Sequence, residues 1–319
     1  MEKLTNNRFS HIRGFNYQPS YGSHGLEIWG EKFNISKIEK ELGLGKKYFP
    51  KINTIRLWLS HDAFLKNPEG FSNNFESVLK VGGKLGLSFI PTLFNGWHSY
   101  PDFGGISPEQ IAYWGKENRF SLVFLPYLEK IVGEHVNDGR ILMWDLCNEP
   151  FNSTWSSEAK DAVFKWLQRI YQLSKKYSPK NRICVGSVPS MESVKMLEPT
   201  SGVITIHPYH AWNAWVKDKK EFERLLDDSV SFANKKDKPL LVTETGWGAL
   251  DDKKRSETLA FELGELKRRD IGFIVHLLYH TLVADGHRPE YGPISGAGYM
   301  AFIELDGSLR PYHEVFNEY

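Results

Sequence analysis

Two glutamates follow short apolar stretches of the chain, and both could serve as acid, base or nucleophile. Glu149 lies near the end of the stretch Ile141–Pro150, ILMWDLCNEP, and Glu244 directly follows Pro239–Thr243, PLLVT. Apolar runs of this length are typical of buried strands, and a proline cannot continue a strand ladder. Parallel α/β sheets and barrels build their active sites where strands end. We therefore interpret both glutamates as candidate catalytic residues.

The two motifs resemble those of a known enzyme family. Asn148-Glu149-Pro150 and Thr243-Glu244-Thr245-Gly246-Trp247 are similar to the motifs of the retaining β-glycosidases of clan A, most closely the cellulase-like glycoside hydrolase family 5. The resemblance implies a (β/α)8 barrel in which Glu149 closes the fourth strand and Glu244 the seventh. It also implies a double displacement on a β-linked glucan, mannan or related oligosaccharide, with Glu244 as nucleophile and Glu149 as acid/base.

The order of the predicted elements fits a single (β/α)8 TIM barrel over residues 1–319. Two complete strand–helix units separate the strands that carry Glu149 and Glu244, as the family pattern requires. A long glycine-rich loop spans 280–300, and a final helix follows Arg310-Pro311. The predicted strands are Ile12–Tyr17, Ile52–Ser60, Leu87–Phe94, Ile141–Leu146, Arg182–Val188, Val203–Tyr209, Pro239–Thr243 and Ile271–Tyr279. The predicted helices are Ser36–Phe49, Phe71–Leu85, a region from Ser107 towards Asn137, Ser156–Tyr177, Met191–Leu197, Asp218–Lys235 and Lys253–Arg269.

The resemblance assigns roles to polar residues at other strand ends. It implies that Arg56, in the second strand, donates to the nucleophile; the alternative is that Arg56 balances Asp145, and the two roles can coexist. Tyr209 matches the family tyrosine that donates to the nucleophile, and His207 the histidine that lines the sugar subsite. A buried hydrogen-bonded His–Tyr pair without catalytic duty is the alternative.

The remaining candidates are residues that would bind the sugar. The resemblance implies that Asn148 binds the sugar 2-hydroxyl, although it could instead cap a turn. At two places the chain departs from the family: Asn95 ends the third strand where a histidine is usual, and His276 takes the place of a tryptophan on the eighth. Indole rings can stack on a sugar or pack in a core. The tryptophans beside strand ends are Trp97, Trp155, Trp212, Trp215 and Trp247, of which Trp97 and Trp247 are our choices.

Composition excludes several classes of partner. With 40 basic and 39 acidic residues the formal net charge is +1, which does not favour nucleic acid or an anionic membrane surface.

The N-terminus lacks an apolar signal-peptide core, which predicts a cytoplasmic protein. Cys147 and Cys184 lie inside predicted strands and resemble buried hydrophobic residues. The spacing of His276, His280, Asp285 and His287 matches no ligand pattern, so we expect no metal and no cofactor.

Three functions remain open from the sequence. A carbohydrate is the expected partner in each, and the oligomeric state is left open. The first is a retaining β-glycoside hydrolase, and the second is a transglycosylase that uses the same carboxylates with a sugar acceptor in place of water. The third is a non-catalytic carbohydrate-binding barrel, against which the presence of both glutamates, Arg56 and Tyr209 argues.

Overall fold

Eight parallel strands form a barrel, with the helices packed around it. The structure is a computed structural model and describes residues 3–96, 106–152, 156–177, 182–210, 216–283, 286–294 and 298–319. The strands pair in the order β5-β4-β3-β2-β1-β8-β7-β6. They are β1 (Arg13–Tyr17), β2 (Thr54–Trp58), β3 (Ser88–Thr92), β4 (Met143–Asn148), β5 (Arg182–Gly186), β6 (Ile204–Ile206), β7 (Leu240–Val242) and β8 (Gly272–Val275).

Hydrogen bonds between β5 and β6 bring the two ends of this sheet together. The backbone amide of His207 donates to the carbonyl of Ser187 at 2.9 Å. The hydroxyl of Thr205 donates to the carbonyl of Val185 at 2.7 Å. The predicted (β/α)8 barrel is confirmed.

Long helices follow most strands, and shorter ones lie in the loops between them. None of the described helices combines the length and the apolarity that crossing a bilayer requires. The α-helices are α1 (Ile35–Tyr48), α2 (His61–Lys66), α3 (Pro68–Lys84), α4 (Pro108–Trp114), α5 (Glu117–Val123), α6 (Leu125–Ile131), α7 (Ser157–Tyr177), α8 (Met191–Leu197), α9 (Lys219–Lys236) and α10 (Asp252–Arg268).

The inside of the barrel changes from apolar to polar along the strands. One buried cluster contains residues from five strands: Ile90, Met143, Cys184, Leu241 and Ile274. Side chains two residues apart on a strand share a face, so the next inward layer follows two positions later. In that layer Asn16 is in register with Arg56, and Thr92 with Asp145. The apolar layer thus supports a buried polar layer, above which the strand ends carry the site.

The predicted elements are confirmed in order, with differences at their ends. Ser107, where the predicted helical region begins, caps α4 with a capping box to Gln110, but the region divides into α4, α5 and α6. Pro126 lies in the first turn of α6, where its missing N–H costs nothing. The short helix α2 was not predicted, and the last segment, His313–Glu318, is a 3-10 helix. Cys147 and Cys184 are free and buried, as expected.

Candidate active site

Glu149 and Glu244 lie close together at the carboxyl end of the barrel. Glu149 directly follows β4, and Glu244 lies two residues after β7. A carboxylate oxygen of one lies within 4.8 Å of a carboxylate oxygen of the other, and each residue is 8% exposed. Retaining glycosidases place their two carboxyl groups roughly 5 Å apart, whereas inverting ones leave room for a water between them. The spacing therefore suits direct attack by one carboxylate on the sugar.

Both oxygens of Glu244 accept hydrogen bonds from residues of other strands. Nη1 of Arg56 donates to Oε2 at 2.8 Å, and the hydroxyl of Tyr209 donates to Oε1 at 2.5 Å. Burial by itself would raise the pKa of Glu244, but the neighbouring histidines, Arg56 and the Tyr209 hydrogen bond lower it below its ordinary value. Glu244 is thus an ionised carboxylate at neutral pH, as a nucleophile must be.

Arg56 makes both contacts that the sequence left as alternatives. Its Nε and Nη2 donate to Oδ2 of Asp145 at 3.0 and 2.6 Å, while its Nη1 binds Glu244. Both Arg56 and Asp145 are fully buried. Asp145 is held in turn by the hydroxyl of Thr92 at 3.1 Å and the amide of Gly186 at 3.0 Å. Asp145 therefore fixes the orientation of the Arg56 guanidinium, whose Nη1 is then directed at Glu244.

Glu149 is held by His207 and by a residue that the sequence did not single out. Nδ1 of His207 lies 2.7 Å from Oε1, and Nδ2 of Asn152 donates to Oε2 at 2.7 Å. The backbone of Glu149 is left-handed, with φ of 45°, a conformation that is rare for residues other than glycine.

His207 lies beneath Glu149 and has no exposed surface. We predicted that it would line the sugar subsite; in the structure its described contacts are with Glu149 and with Oγ1 of Thr243, at 3.0 Å from Nε2. Gly186 makes this position available, since a Cβ there would lie 2.9 Å from the imidazole of His207 and 3.1 Å from Arg56.

Asn148 is fixed from two sides. Its Oδ1 accepts from Nη2 of Arg56 at 2.7 Å, and its Nδ2 donates to Oδ1 of Asn95 at 3.1 Å. Asn16 plays a similar part on the other side, accepting from Arg56 at 3.0 Å and donating to the carbonyl of Thr243 at 3.2 Å. Asn95 is 1% exposed. The amide oxygen of Asn95 thus helps to hold Asn148 in place.

His276 lies just past β8, near both Glu244 and Trp58. Its ring meets that of Trp58 edge-on, with centroids 5.7 Å apart. Burial lowers the pKa of His276 to about 4, so the ring is neutral at neutral pH. Nδ1 of His276 has no hydrogen-bond partner within the described chain. It is therefore a hydrogen-bonding group of the site that the described residues leave unused.

Of the tryptophans considered for sugar stacking, Trp247 lies among the residues that the structure describes. Trp247 is partly buried, and the ammonium group of Lys254 lies 5.0 Å from its ring centroid. Trp97, together with Trp155, Trp212 and Trp215, falls outside the residues that the structure describes.

The sequence assigned no role in the site to four residues that belong to it: Asn16, Trp58, Asn152 and Thr243. Asn16 and Trp58 are buried inward-facing residues of β1 and β2, and strand alternation from Arg56 could have found Trp58. Asn152 lies in an irregular turn, where no periodic pattern marks a functional residue.

Two clusters of the described residues could in principle hold a metal ion. One consists of Glu149, His207 and Glu244 and is the site itself. The other consists of Glu76, His135 and Asp138, where Arg140 already binds both carboxylates, at 2.8 and 2.7 Å. The charge at this second cluster is therefore compensated by a side chain.

The fold and the site together define a class: a (β/α)8 barrel with paired carboxylates after β4 and β7, of the clan A glycosidase type. A family model described as cellulase (glycosyl hydrolase family 5) matches residues 12–279. The chain belongs to this family.

Curated relatives match over part of the chain. Mannan endo-1,4-β-mannosidase F of Aspergillus clavatus is 24% identical over 115 residues, which are 34% of this chain and 25% of that protein. A probable mannan endo-1,4-β-mannosidase F of Aspergillus oryzae is 25% identical over 115 residues, 34% of this chain and 24% of that protein. The match thus spans about a quarter of the length of these relatives.

Solved structures share the fold over nearly the whole chain. A GH5_18 protein of Streptomyces cattleya in complex with GlcNAc has a TM-score of 0.74 and 13% identity, covering 96% of this chain and 78% of that one. An exo-β-1,4-mannosidase of Opitutaceae bacterium strain TAV5 has a TM-score of 0.71 and 18% identity, covering 96% of this chain and 58% of that one.

Proposed function

We propose that this protein hydrolyses β-linked mannosides with retention of configuration. The observation that carries the proposal is the carboxylate pair: Glu244, bound by Arg56 and Tyr209, lies within 4.8 Å of Glu149. A sugar-binding protein needs neither a nucleophile kept ionised nor a second carboxylate beside it. The mannan-type substrate is supported by the curated relatives, which are named as mannosidases, and one solved structure of the same fold is named as a β-1,4-mannosidase.

In the first step of this mechanism Glu244 attacks the anomeric carbon while Glu149 gives its proton to the leaving oxygen. The bond between the anomeric carbon and that oxygen breaks, and an ester between the sugar and Glu244 forms. Glu149, now a carboxylate, takes a proton from water, which attacks the same carbon and releases Glu244. Arg56 and Tyr209 stabilise the carboxylate of Glu244 when it departs.

We also propose that residues 1–319 fold as one catalytic domain. The two ends of the chain pack on the same barrel, since Nε of Arg13 in β1 donates to the carbonyl of Tyr319 at 2.7 Å. Near the N-terminus, the amide of Thr5 donates to Oδ1 of Asn234 in α9 at 2.9 Å. These contacts support a single folding unit.

The experiment is an assay on matched aryl β-mannosides and β-glucosides, with Glu244→Gln as control. We expect turnover of the mannoside to exceed that of the glucoside, and proton NMR to show the β-anomer of the product first. Release of the α-anomer first would overturn the retaining mechanism. Preference for the glucoside would overturn the substrate class, and equal activity in Glu244→Gln would exclude this site.

A further inference from the structure

Two buried ionisable side chains of helix α10 contact the loops that carry the site. Arg255 and Glu262 lie seven residues apart, which is about two helical turns, and therefore share a face of α10. Both are fully buried. Neither takes part in the mechanism above, and a buried charge is costly unless it is well hydrogen-bonded. Their partners show what they do.

Glu262 binds the loop after β6. Its Oε1 accepts from the backbone amide of His210 at 2.7 Å, and His210 directly follows Tyr209. The backbone of Gly246 and Trp247, in the loop after β7, lies near the same carboxyl group, whose Oε2 has no hydrogen-bond partner within the described chain. Burial raises the pKa of Glu262 to about 8, against the lowering effect of these amides and of Arg255. At neutral pH Glu262 is therefore a neutral carboxylic acid.

Arg255 joins the loop after β7 to the segments that follow β8. Its Nε donates to the carbonyl of Trp247 at 2.9 Å, and its Nη2 donates to the carbonyl of His276 at 3.1 Å and to that of Met300. Its Nη1 donates to Nε2 of His313 at 2.8 Å. The peptide segment of Trp247 thus faces both α10 residues, with its carbonyl bound to Arg255 and its amide near Glu262.

We propose that Glu262, supported by Arg255, is a positioning residue that sets the hydrogen bond between Tyr209 and Glu244. Glu262 binds His210, which is adjacent to Tyr209, and Arg255 binds Trp247, three residues after Glu244, so α10 holds both loops. The hydrogen bond from Tyr209 to Glu244 spans these two loops, so its geometry depends on how they are held relative to each other. The inference rests on the proposed role of Glu244 as nucleophile.

The test compares Glu262→Ala with Glu262→Gln, each alone and combined with Tyr209→Phe. Glutamine keeps the acceptor oxygen and the neutral charge, so we expect activity within about twofold of wild type. Loss of the acceptor in Glu262→Ala should lower kcat about tenfold, leave KM nearly unchanged, and move the acidic limb of the kcat/KM profile to higher pH. In the Tyr209→Phe background, Glu262→Ala should shift the acidic limb of the kcat/KM profile only slightly.

The groups that face Glu244 and could also titrate are Arg56, Tyr209, His207, His276 and Glu149. An NMR titration of glutamate labelled with 13C at Cδ, with the Glu244 signal assigned from Glu244→Gln, separates Glu244 from them. It needs no turnover, so it stays readable if the proposed substrate is wrong. We expect the 13C shift of Glu244 to show that this carboxylate takes up its proton at higher pH in Glu262→Ala than in wild type.

Three results would overturn the inference. One is an unchanged titration of Glu244 in Glu262→Ala. Another is that Glu262→Ala shifts the titration of Glu244 equally with Tyr209 present and in the Tyr209→Phe background. The third is a loss of activity in Glu262→Gln as large as in Glu262→Ala. If Glu262→Ala does not fold, Glu262→Asp, which withdraws the carboxyl by one methylene, replaces it with the same expected direction.

Discussion

Nδ1 of His207 lies 2.7 Å from Oε1 of Glu149, and the same imidazole reaches Oγ1 of Thr243 through Nε2 at 3.0 Å. Thr243 directly precedes Glu244, so a single side chain connects the backbone segments of both proposed catalytic residues. Asn152 binds the second oxygen of Glu149 at 2.7 Å. Glu149, the proposed acid/base, is therefore held in one orientation before any sugar binds, which would remove part of the ordering cost from the reaction.

Replacing His207 should impair proton transfer more than sugar binding. We expect His207→Ala to lower kcat about 100-fold for substrates with poor leaving groups, because Glu149 loses the partner that orients it. Aryl mannosides with good leaving groups should lose much less. Steady-state kinetics on a series of leaving groups measures this, with Thr243→Ser as a control that keeps the hydroxyl. An equal loss for all leaving groups would place His207 outside the acid/base step.

Glu149→Ala should retain the first step only for activated substrates. The aryl mannoside still expels its leaving group without a proton, while the second step lacks its base. Azide, a nucleophile that needs no base, should restore turnover and yield a β-mannosyl azide. Detection of that product by mass spectrometry and NMR checks the assignment. If azide neither raises the rate nor appears in the product, Glu149 is not the acid/base.

Arg56→Lys should damage both stability and activity. Lysine cannot reproduce the fork that binds Asp145, Glu244 and Asn148 together. Breaking a buried pair by removing one partner costs about 3–5 kcal/mol, which sets the upper range for the loss in unfolding free energy here. Chemical denaturation and steady-state kinetics check this, with the exposed Arg224→Lys as the matched control. A stable, fully active Arg56→Lys would contradict the role of the guanidinium.

Stability should fall with rising pH because of Glu262. Its pKa is raised from 4.5 to about 8 in the folded chain, so between these values the folded state binds a proton that the unfolded state has lost. The stabilisation is complete below pH 4.5 and falls by up to about 1.4 kcal/mol per pH unit as pH rises towards 8. Glu262→Gln removes the titrating group. Between pH 5 and pH 8 the free energy of unfolding, measured by denaturation, should therefore fall more in the wild type than in Glu262→Gln. The same fall in both proteins would show that Glu262 does not titrate abnormally.

The sequence was most informative where periodicity and strand ends coincide. All eight strands were predicted in order, because each is an apolar run bounded by turn residues, and Glu149 and Glu244 could be placed from two of them. Arg56 was named because the resemblance makes it the donor to the nucleophile, with a pairing to Asp145 as the alternative. The sequence left both contacts open, and the structure gives both.

Contacts that depend on irregular backbone were beyond the sequence. Glu149 has a left-handed backbone conformation and follows a register shift in β4 between Asp145 and Asn148. The local sequence does not predict the direction of its side chain. Glu262 lies on a helix whose sequence is typical of a solvated surface, and only the packing of α10 against the loops shows it to be buried.

The most direct test of the account is covalent trapping of the nucleophile. The protein is incubated with 2-deoxy-2-fluoro-β-mannosyl and β-glucosyl fluorides, and intact mass spectrometry is followed by peptide mapping. We expect one sugar per chain, faster labelling by the mannosyl reagent, and the label on Glu244, with none in Glu244→Gln. A label on another residue, or its persistence in Glu244→Gln, would contradict the assignment of Glu244 as nucleophile.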